Sequence, residues 1–565
     1  MSMLDNKLLT AALLGIAITL LIILFYRGFN DPDEGRYSEV PREMVVSGNW
    51  LEMRMLGYRY YEKPPLTYWL VAPAIKLFGA HDWAARVPLL LNGLGLAILF
   101  WLLACRSWLR QLANGATLAM LCMIGVVAGT SLLLPDAFLV LFFGLVCVSL
   151  FYACQPEVSS KRRFILYMTA AICAVLGFLT KGAVAVVLPG AIIFIWLLWE
   201  RRMAALRTWS ILWAALLFGI LLAPVLLLLE KHNPGFFHYF VIDEHVSRFT
   251  GTRAIQLHPE PFWFFFAVLP LLMLPWTLFI LRTVRQMVVN KFWHTDELSR
   301  FLVVWVVVVI GFFSASTGKL MSYIMPAIPP LGLLLGRWGI VEPLDGSRRD
   351  RILWNIGAAG LPIASLAIFI VWLTAYYQWL PKNVYPVSGI SVVALIPVGL
   401  ALLLIPATRL WQKAEGVLLW NAGILLTAAL LLSPRAAKDF NVLLRFNSSH
   451  VYEKLGAILK PEDQVIVFWV YRPALPFYLQ RLYVPYEETN ELLYGMQAEP
   501  QRARDLQGKA QLDAFMKRAP GRVFAVIEPH NIESKFKPLA QRTASVDIPR
   551  DPDTIVLEIL PPILP

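Results

Sequence analysis

The sequence predicts a polytopic α-helical membrane protein of about 13 transmembrane helices, followed by a small α/β domain at the C-terminus. Three observations carry this. Of 565 residues, 58% are hydrophobic and only 16% charged. Mean hydropathy is +0.61. Long apolar runs recur up to about residue 433 and then stop. A soluble domain averages roughly 45–50% apolar and about 25% charged residues. A water-soluble fold of this size could not hide so much apolar surface, which argues against a soluble α/β enzyme and excludes disordered and collagen-like chains.

A membrane-spanning helix needs ~20 mostly apolar residues. The candidates are 8–26, 84–105, 114–132, 136–154, 164–180, 183–199, 209–229, 262–282, 301–315, 321–339, 354–374, 388–408 and 415–433. The first run is too long for a cleaved signal peptide and lacks a small-residue cleavage site after it. Residues 65–79 are also apolar, but Pro64, Pro65, Pro73 and Lys76 mark an interfacial helix rather than a span. The net charge of +12 is explained by its placement. One set of alternate loops carries Arg106 and Arg110, Lys161 to Arg163, Arg201, Arg202 and Arg207, Arg282 and Arg285, and Arg348, Arg349 and Arg351. The positive-inside rule puts that set and the N-terminus in the cytoplasm, so nucleic-acid binding has no support. An odd number of spans then leaves the C-terminus outside. The five cysteines lie in or beside apolar segments with no metal spacing, and read as small hydrophobes.

From about 434 to 565 the composition changes. Strand-like runs begin at Gln464, Arg522 and Thr554, with charged helical segments at 450–460 and 502–517 between them. This reads as a soluble extracytoplasmic α/β domain, against a transmembrane domain over 1–433.

The chemistry concentrates on the outer face. The loop from about 27 to 63 holds Asp31-Pro-Asp33-Glu34-Gly-Arg36 and Tyr60-Tyr-Glu62-Lys63-Pro-Pro; the loop from about 230 to 261 holds Glu244-His245-Val-Ser-Arg248. Asp136, Lys181 and Lys319 sit at the outer ends of spans, where an ionisable group more often lines a site than a lipid-facing wall. Asp33 suits an N-cap for a helix over 34–47; it and Glu34 are also candidate catalytic carboxylates. Lys63 suits a lipid phosphate as a point charge, Arg248 as a bidentate donor. Glu62 with His245 offers one oxygen and one nitrogen to a divalent metal ion. There is no Gly-rich nucleotide loop.

The order of these motifs, continued by Leu179-Thr-Lys181-Gly and Lys319-Leu-x-Ser-Tyr323, resembles the bacterial aminoarabinose transferases. These are GT-C membrane glycosyltransferases related to the protein O-mannosyltransferases. The resemblance covers roughly 10–430; the C-terminal region carries no motif that matches. It implies transfer of 4-amino-4-deoxy-L-arabinose from undecaprenyl phosphate to a phosphate of lipid A, on the periplasmic face of a Gram-negative inner membrane. It further implies that Asp33 is the principal catalytic carboxylate. Lys63, Lys181, Arg248 and Arg36 would hold the lipid phosphate, flanked by Tyr60 and Tyr323, and Asp136 would be a second catalytic acidic residue, facing the sugar's amino group. Partners would be the lipid-linked donor, lipid A and membrane lipids, with no nucleotide. A related transferase with another acceptor is the nearest rival. A flippase would instead place ionisable groups at the bilayer midplane in repeated halves.

Overall fold

The computed structural model describes residues 6–238, 240, 259–359, 413–431, 448–487, 490–502, 505–536, 543–548 and 554–560. The chain forms two compact units. The first comprises Met1–Leu24, Leu89–Glu230 and Gly235–Leu431; the second comprises Phe25–Pro88, Lys231–Pro234 and Leu432–Pro565. Residues 25–88, assigned by sequence to the transmembrane part, thus belong with the C-terminal region.

The first unit is helical. Its described helices include α1 (Asn6–Tyr26, which runs on into the second unit), α4 (Asp82–Ser107), α5 (Arg110–Leu121), α6 (Ile124–Ser131), α7 (Pro135–Ala153), α8 (Ser160–Lys181), α9 (Val184–Trp199) and α10 (Trp209–His232). Among the described residues, six helices are long and apolar enough to cross a membrane, or eight if each of two bent pairs is one span. Of the thirteen expected spans, 388–408 and most of 354–374 lie outside the described residues.

Two expected straight spans are broken. The run 114–132 bends by 66° between α5 and α6, and 262–282 bends by 109° between Phe264–Leu272 and Thr277–Val289. Broken helices at membrane depth survive only where freed backbone groups find partners. Here the two breaks serve each other: the Ile124 amide donates to the Leu274 carbonyl at 2.8 Å. Trp276 adds an indole N–H to the Ala119 carbonyl at 2.7 Å.

The loops that sequence places on the cytoplasmic side bond to one another. Arg202 pairs with Glu297 at 2.7 Å, Arg300 with Glu200 at 2.5 Å, and the Trp108 indole donates to Asp296 at 2.9 Å. Arg282, fully buried, binds both oxygens of Asp350 at 2.9 and 3.1 Å.

In the second unit, α2 (Asp33–Ser47) and α3 (Leu66–Phe78) flank a hairpin of β1 (Arg54–Met55) and β2 (Tyr58–Arg59). Leu56 and Gly57 turn it with φ of 54° and 78°. Positive φ at both turn positions matches a type I′ turn, and glycine meets it without strain. The interfacial helix expected over 65–79 is α3. The C-terminal sheet has five strands in the order β4-β3-β5-β7-β6. β3 (Gln464–Phe468) is parallel to β4 (Val484–Tyr486) and to β5 (Val523–Ile527); β7 (Ile555–Ile559) is antiparallel to β5 and to β6 (Thr543–Ser545). Every residue of β5 is buried, as a central strand covered on both faces requires. The three expected strands are β3, β5 and β7; β4 and β6 are too short to show a period, and β4 carries Pro485, tolerated because it lies at the edge.

Candidate active site

In the second unit, the Asp-Pro-Asp-Glu segment starts α2. Pro32, not Asp33, occupies the cap position, and no side chain caps the helix. Asp33 is the first helical residue, and its carboxylate accepts from Nη2 of Arg36 one turn later. The Asp33 side chain remains 58% exposed while Arg36 is 11% exposed. A fixed guanidinium therefore holds a carboxylate that faces outward.

Nη1 of the same guanidinium binds Glu491 and lies 4.0 Å from Glu62. The Tyr60 hydroxyl donates to the other Glu491 oxygen at 3.0 Å and lies 3.5 Å from Glu62. Burial, then the Glu62 and Glu491 carboxylates, push the Tyr60 phenol well above its ordinary value, so it stays a donor. Lys63 is half-buried, and its ammonium donates to the Glu62 carbonyl at 3.0 Å. Asp33, Arg36, Tyr60 and Glu62 are thus joined in one network.

Glu34 differs. It is 1% exposed, and Arg27 grips both its oxygens at 2.6 and 2.7 Å. Arg86 adds contacts at 3.2 and 3.3 Å and the Asn30 amide one at 3.0 Å. Burial alone would raise its carboxyl, but the two guanidiniums bring it down to about 2. So enclosed, Glu34 fixes the loop that carries Asp33. Asp31 accepts from the Ala474 amide at 2.8 Å and from the Tyr452 hydroxyl at 3.0 Å, and burial pushes it up to about 6.

In the first unit, Asp136 follows Pro135 in the first turn of α7 and Lys181 ends α8. Each charge opposes the partial charge of its own helix end. The two form an ion pair, and the Lys181 ammonium lies 4.3 Å from the centroid of the Tyr323 ring. Asp136, Lys181 and Tyr323, distant in sequence, are therefore brought together. Lys319 is buried and donates to the Glu260 and Ser316 carbonyls at 2.7 and 2.5 Å, so it ties its own loop to the segment at Glu260.

Arg248 and His245 lie outside the described residues. Among the described residues, no group of three or more His, Cys, Asp or Glu side chains could hold a metal. Sequence reasoning missed Glu491, which sits in no motif. It also missed Arg86, although a guanidinium at the mouth of an apolar run was a usable signal.

The chain matches two family models. That of the dolichyl-phosphate-mannose-protein mannosyltransferases covers residues 9–240, and that of the aminoarabinose transferase C-terminal domain covers residues 451–558. The second places the region in which no motif was legible. The chain is 29% identical over 508 residues to undecaprenyl phosphate-alpha-4-amino-4-deoxy-L-arabinose arabinosyl transferase 2 of Pseudomonas fluorescens, covering 88% of this chain and 83% of that protein. It is 32% identical over 385 residues to the corresponding transferase of Pseudomonas savastanoi pv. phaseolicola, covering 67% and 68%. Its fold matches the crystal structure of ArnT from Cupriavidus metallidurans with a TM-score of 0.76, at 24% identity over 97% of each chain. The structure of that protein bound to undecaprenyl phosphate matches equally well.

Proposed function

The chain belongs to the aminoarabinose transferase family, polytopic membrane glycosyltransferases of the GT-C type, and on that premise we infer that it moves 4-amino-4-deoxy-L-arabinose from undecaprenyl phosphate to a phosphate of lipid A. The reaction takes place on the periplasmic face of the inner membrane, with the N-terminus in the cytoplasm. It lowers the negative charge of lipopolysaccharide, which weakens the binding of cationic peptides.

The observation that carries this reading is Asp33, a solvent-facing carboxylate held by a buried arginine at the start of α2. Cleaving the bond between sugar and phosphate develops positive charge on the sugar and negative charge on the departing phosphate. Lys63, Lys181 and Arg248 are assigned to that phosphate, where fixed cations stabilise the transition state directly. Asp33 faces the sugar side, where its charge opposes the developing cation. A phosphate monoester has a second pKa near ~6, so the acceptor is largely ionised at neutral pH and needs little base. Asp33 therefore orients the acceptor or takes a residual proton. The lone electron pair of the acceptor oxygen forms the new bond as the old phosphate leaves, with inversion at the sugar carbon.

A divalent ion belongs to the same proposal. Glu62 and His245 would hold it, and its charge would offset that of a phosphate. Dialysis against EDTA is expected to lower transfer and added metal to restore it; unchanged transfer overturns the metal.

The whole reading is tested by incubating the purified protein with undecaprenyl-phosphate aminoarabinose and lipid A. Lipid A gains one aminoarabinose if the reading holds. Transfer to a different acceptor, or none, overturns it.

A further inference from the structure

Among the described residues, the C-terminal region supplies Glu491 to the Asp33 network. Arg36 and Glu491 are separated by 455 positions, yet the Arg36 guanidinium bridges Asp33 through Nη2 and Glu491 through Nη1. The other oxygen of Glu491 accepts from the Tyr60 hydroxyl at 3.0 Å. Glu491 thus ties together the two first-loop motifs, Asp-Glu-Gly-Arg and Tyr-Tyr-Glu-Lys, that carry the proposed chemistry.

The backbone around it is fixed at close quarters. A side-chain carbon at Gly495 would overlap the backbone carbonyl of Arg59 in β2. One at Gly35 would overlap the backbone nitrogen of Ala474. Beyond Glu491, Glu499 is bound by Arg54 at 2.8 and 3.2 Å. These contacts leave Glu491 little freedom: the segment Leu493–Ala498 lies against β2, and Tyr60 directly follows that strand.

Without Glu491, the Arg36 guanidinium would keep, among the described carboxylates, Asp33 at short range and Glu62 at 4.0 Å. It could then swing, and Asp33 with it. We propose that Glu491 is a positioning residue of the transferase, fixing the Arg36 guanidinium and the Tyr60 hydroxyl so that Asp33 keeps its alignment. The C-terminal region is on this account part of the catalytic apparatus. The inference rests on the transferase reading given above.

The test compares Glu491→Ala and Glu491→Gln in the full-length protein. Glutamine has nearly the same shape, can accept from Arg36 and can bond to Tyr60, but lacks the charge that strengthens the arginine contact. Misplacing reacting groups by about 1 Å can cost roughly 100-fold in rate. Glu491→Ala is therefore expected to lower kcat by about 10- to 100-fold, with a smaller change in the KM for the donor. Glu491→Gln should recover most of that loss. In a Glu491→Ala background, Tyr60→Phe should cost less than it does in the unsubstituted chain, because the hydroxyl has lost its 3.0 Å acceptor and keeps only the 3.5 Å contact with Glu62.

Equal kcat for Glu491→Ala and the unsubstituted chain overturns the proposal. So does a fall that merely tracks the folded fraction, read from gel filtration and the melting temperature, or full additivity with Tyr60→Phe. Activity of the unsubstituted chain tests the transferase reading by itself. The Glu491 comparison is a ratio on one substrate pair, so it holds for any polyprenyl-phosphate sugar that the protein turns over.

Discussion

Lys181, the last residue of α8, is ion-paired with Asp136 in the first turn of α7. Both side chains are largely buried, at 14% and 9% exposure, so the pair has little water to fall back on. Removing one member strands the other, whereas removing both is tolerated. Lys181→Met alone should lower the melting temperature, and Lys181→Met with Asp136→Leu should recover it. Neither variant should regain affinity for the donor, because the phosphate has lost a cation. Donor KM and thermal denaturation in detergent check this. A double variant that binds donor normally would remove Lys181 from the phosphate site.

Glu34 supports the fold beneath Asp33. Breaking a buried charge pair costs roughly 3–5 kcal/mol, so Glu34→Gln should markedly lower thermal stability and yield. The protein that does fold should turn over within a few-fold of normal. Wild-type stability with turnover lost would return Glu34 to the catalytic set.

Asp31 gives the second unit a pH dependence of definite sign. Burial moves its carboxyl from the ordinary 3.8 to about 6, so the folded chain holds this proton more tightly than the unfolded one. Its protonated form adds stability that is complete below pH 3.8 and is lost as pH rises through about 6. At 1.36 kcal/mol per pKa unit, the amount at stake is of order 3 kcal/mol. Asp31→Asn should flatten the part of the melting-temperature profile between pH 4 and 6 that this group causes. An unchanged slope would show that Asp31 is not the group responsible.

Much of this molecule was legible in the sequence because bilayer crossing leaves a strong signal. The apolar runs at α4, α7, α8 and α10 could hardly be anything else. The bends were harder. Pro275 marks one of them, but the break at Cys122 and Met123 contains neither proline nor glycine, and its reason is the Leu274 carbonyl more than a hundred positions away. Asp33 was legible in its acidic cluster and Arg36 only through the family resemblance; that one helical turn joins them is seen in the structure. The surroundings of Glu34 were not legible. Asp33 is exposed and Glu34 is not, because Arg27, seven positions before it, and Arg86, 52 positions on, both close on Glu34. Glu491 left no trace at all: a lone glutamate in a polar segment acquires its meaning from Arg36 and Tyr60.

The most direct measurement is the mass of lipid A after incubation with the lipid-linked donor and either the unsubstituted protein or Asp33→Asn. Asparagine keeps the shape of the side chain and removes its charge. The account predicts added aminoarabinose with the unsubstituted protein, and a loss of about 100- to 10,000-fold in rate for the variant, at unchanged melting temperature. Lipid A modified at near-normal rate by Asp33→Asn, or left unmodified by the unsubstituted protein, would contradict it.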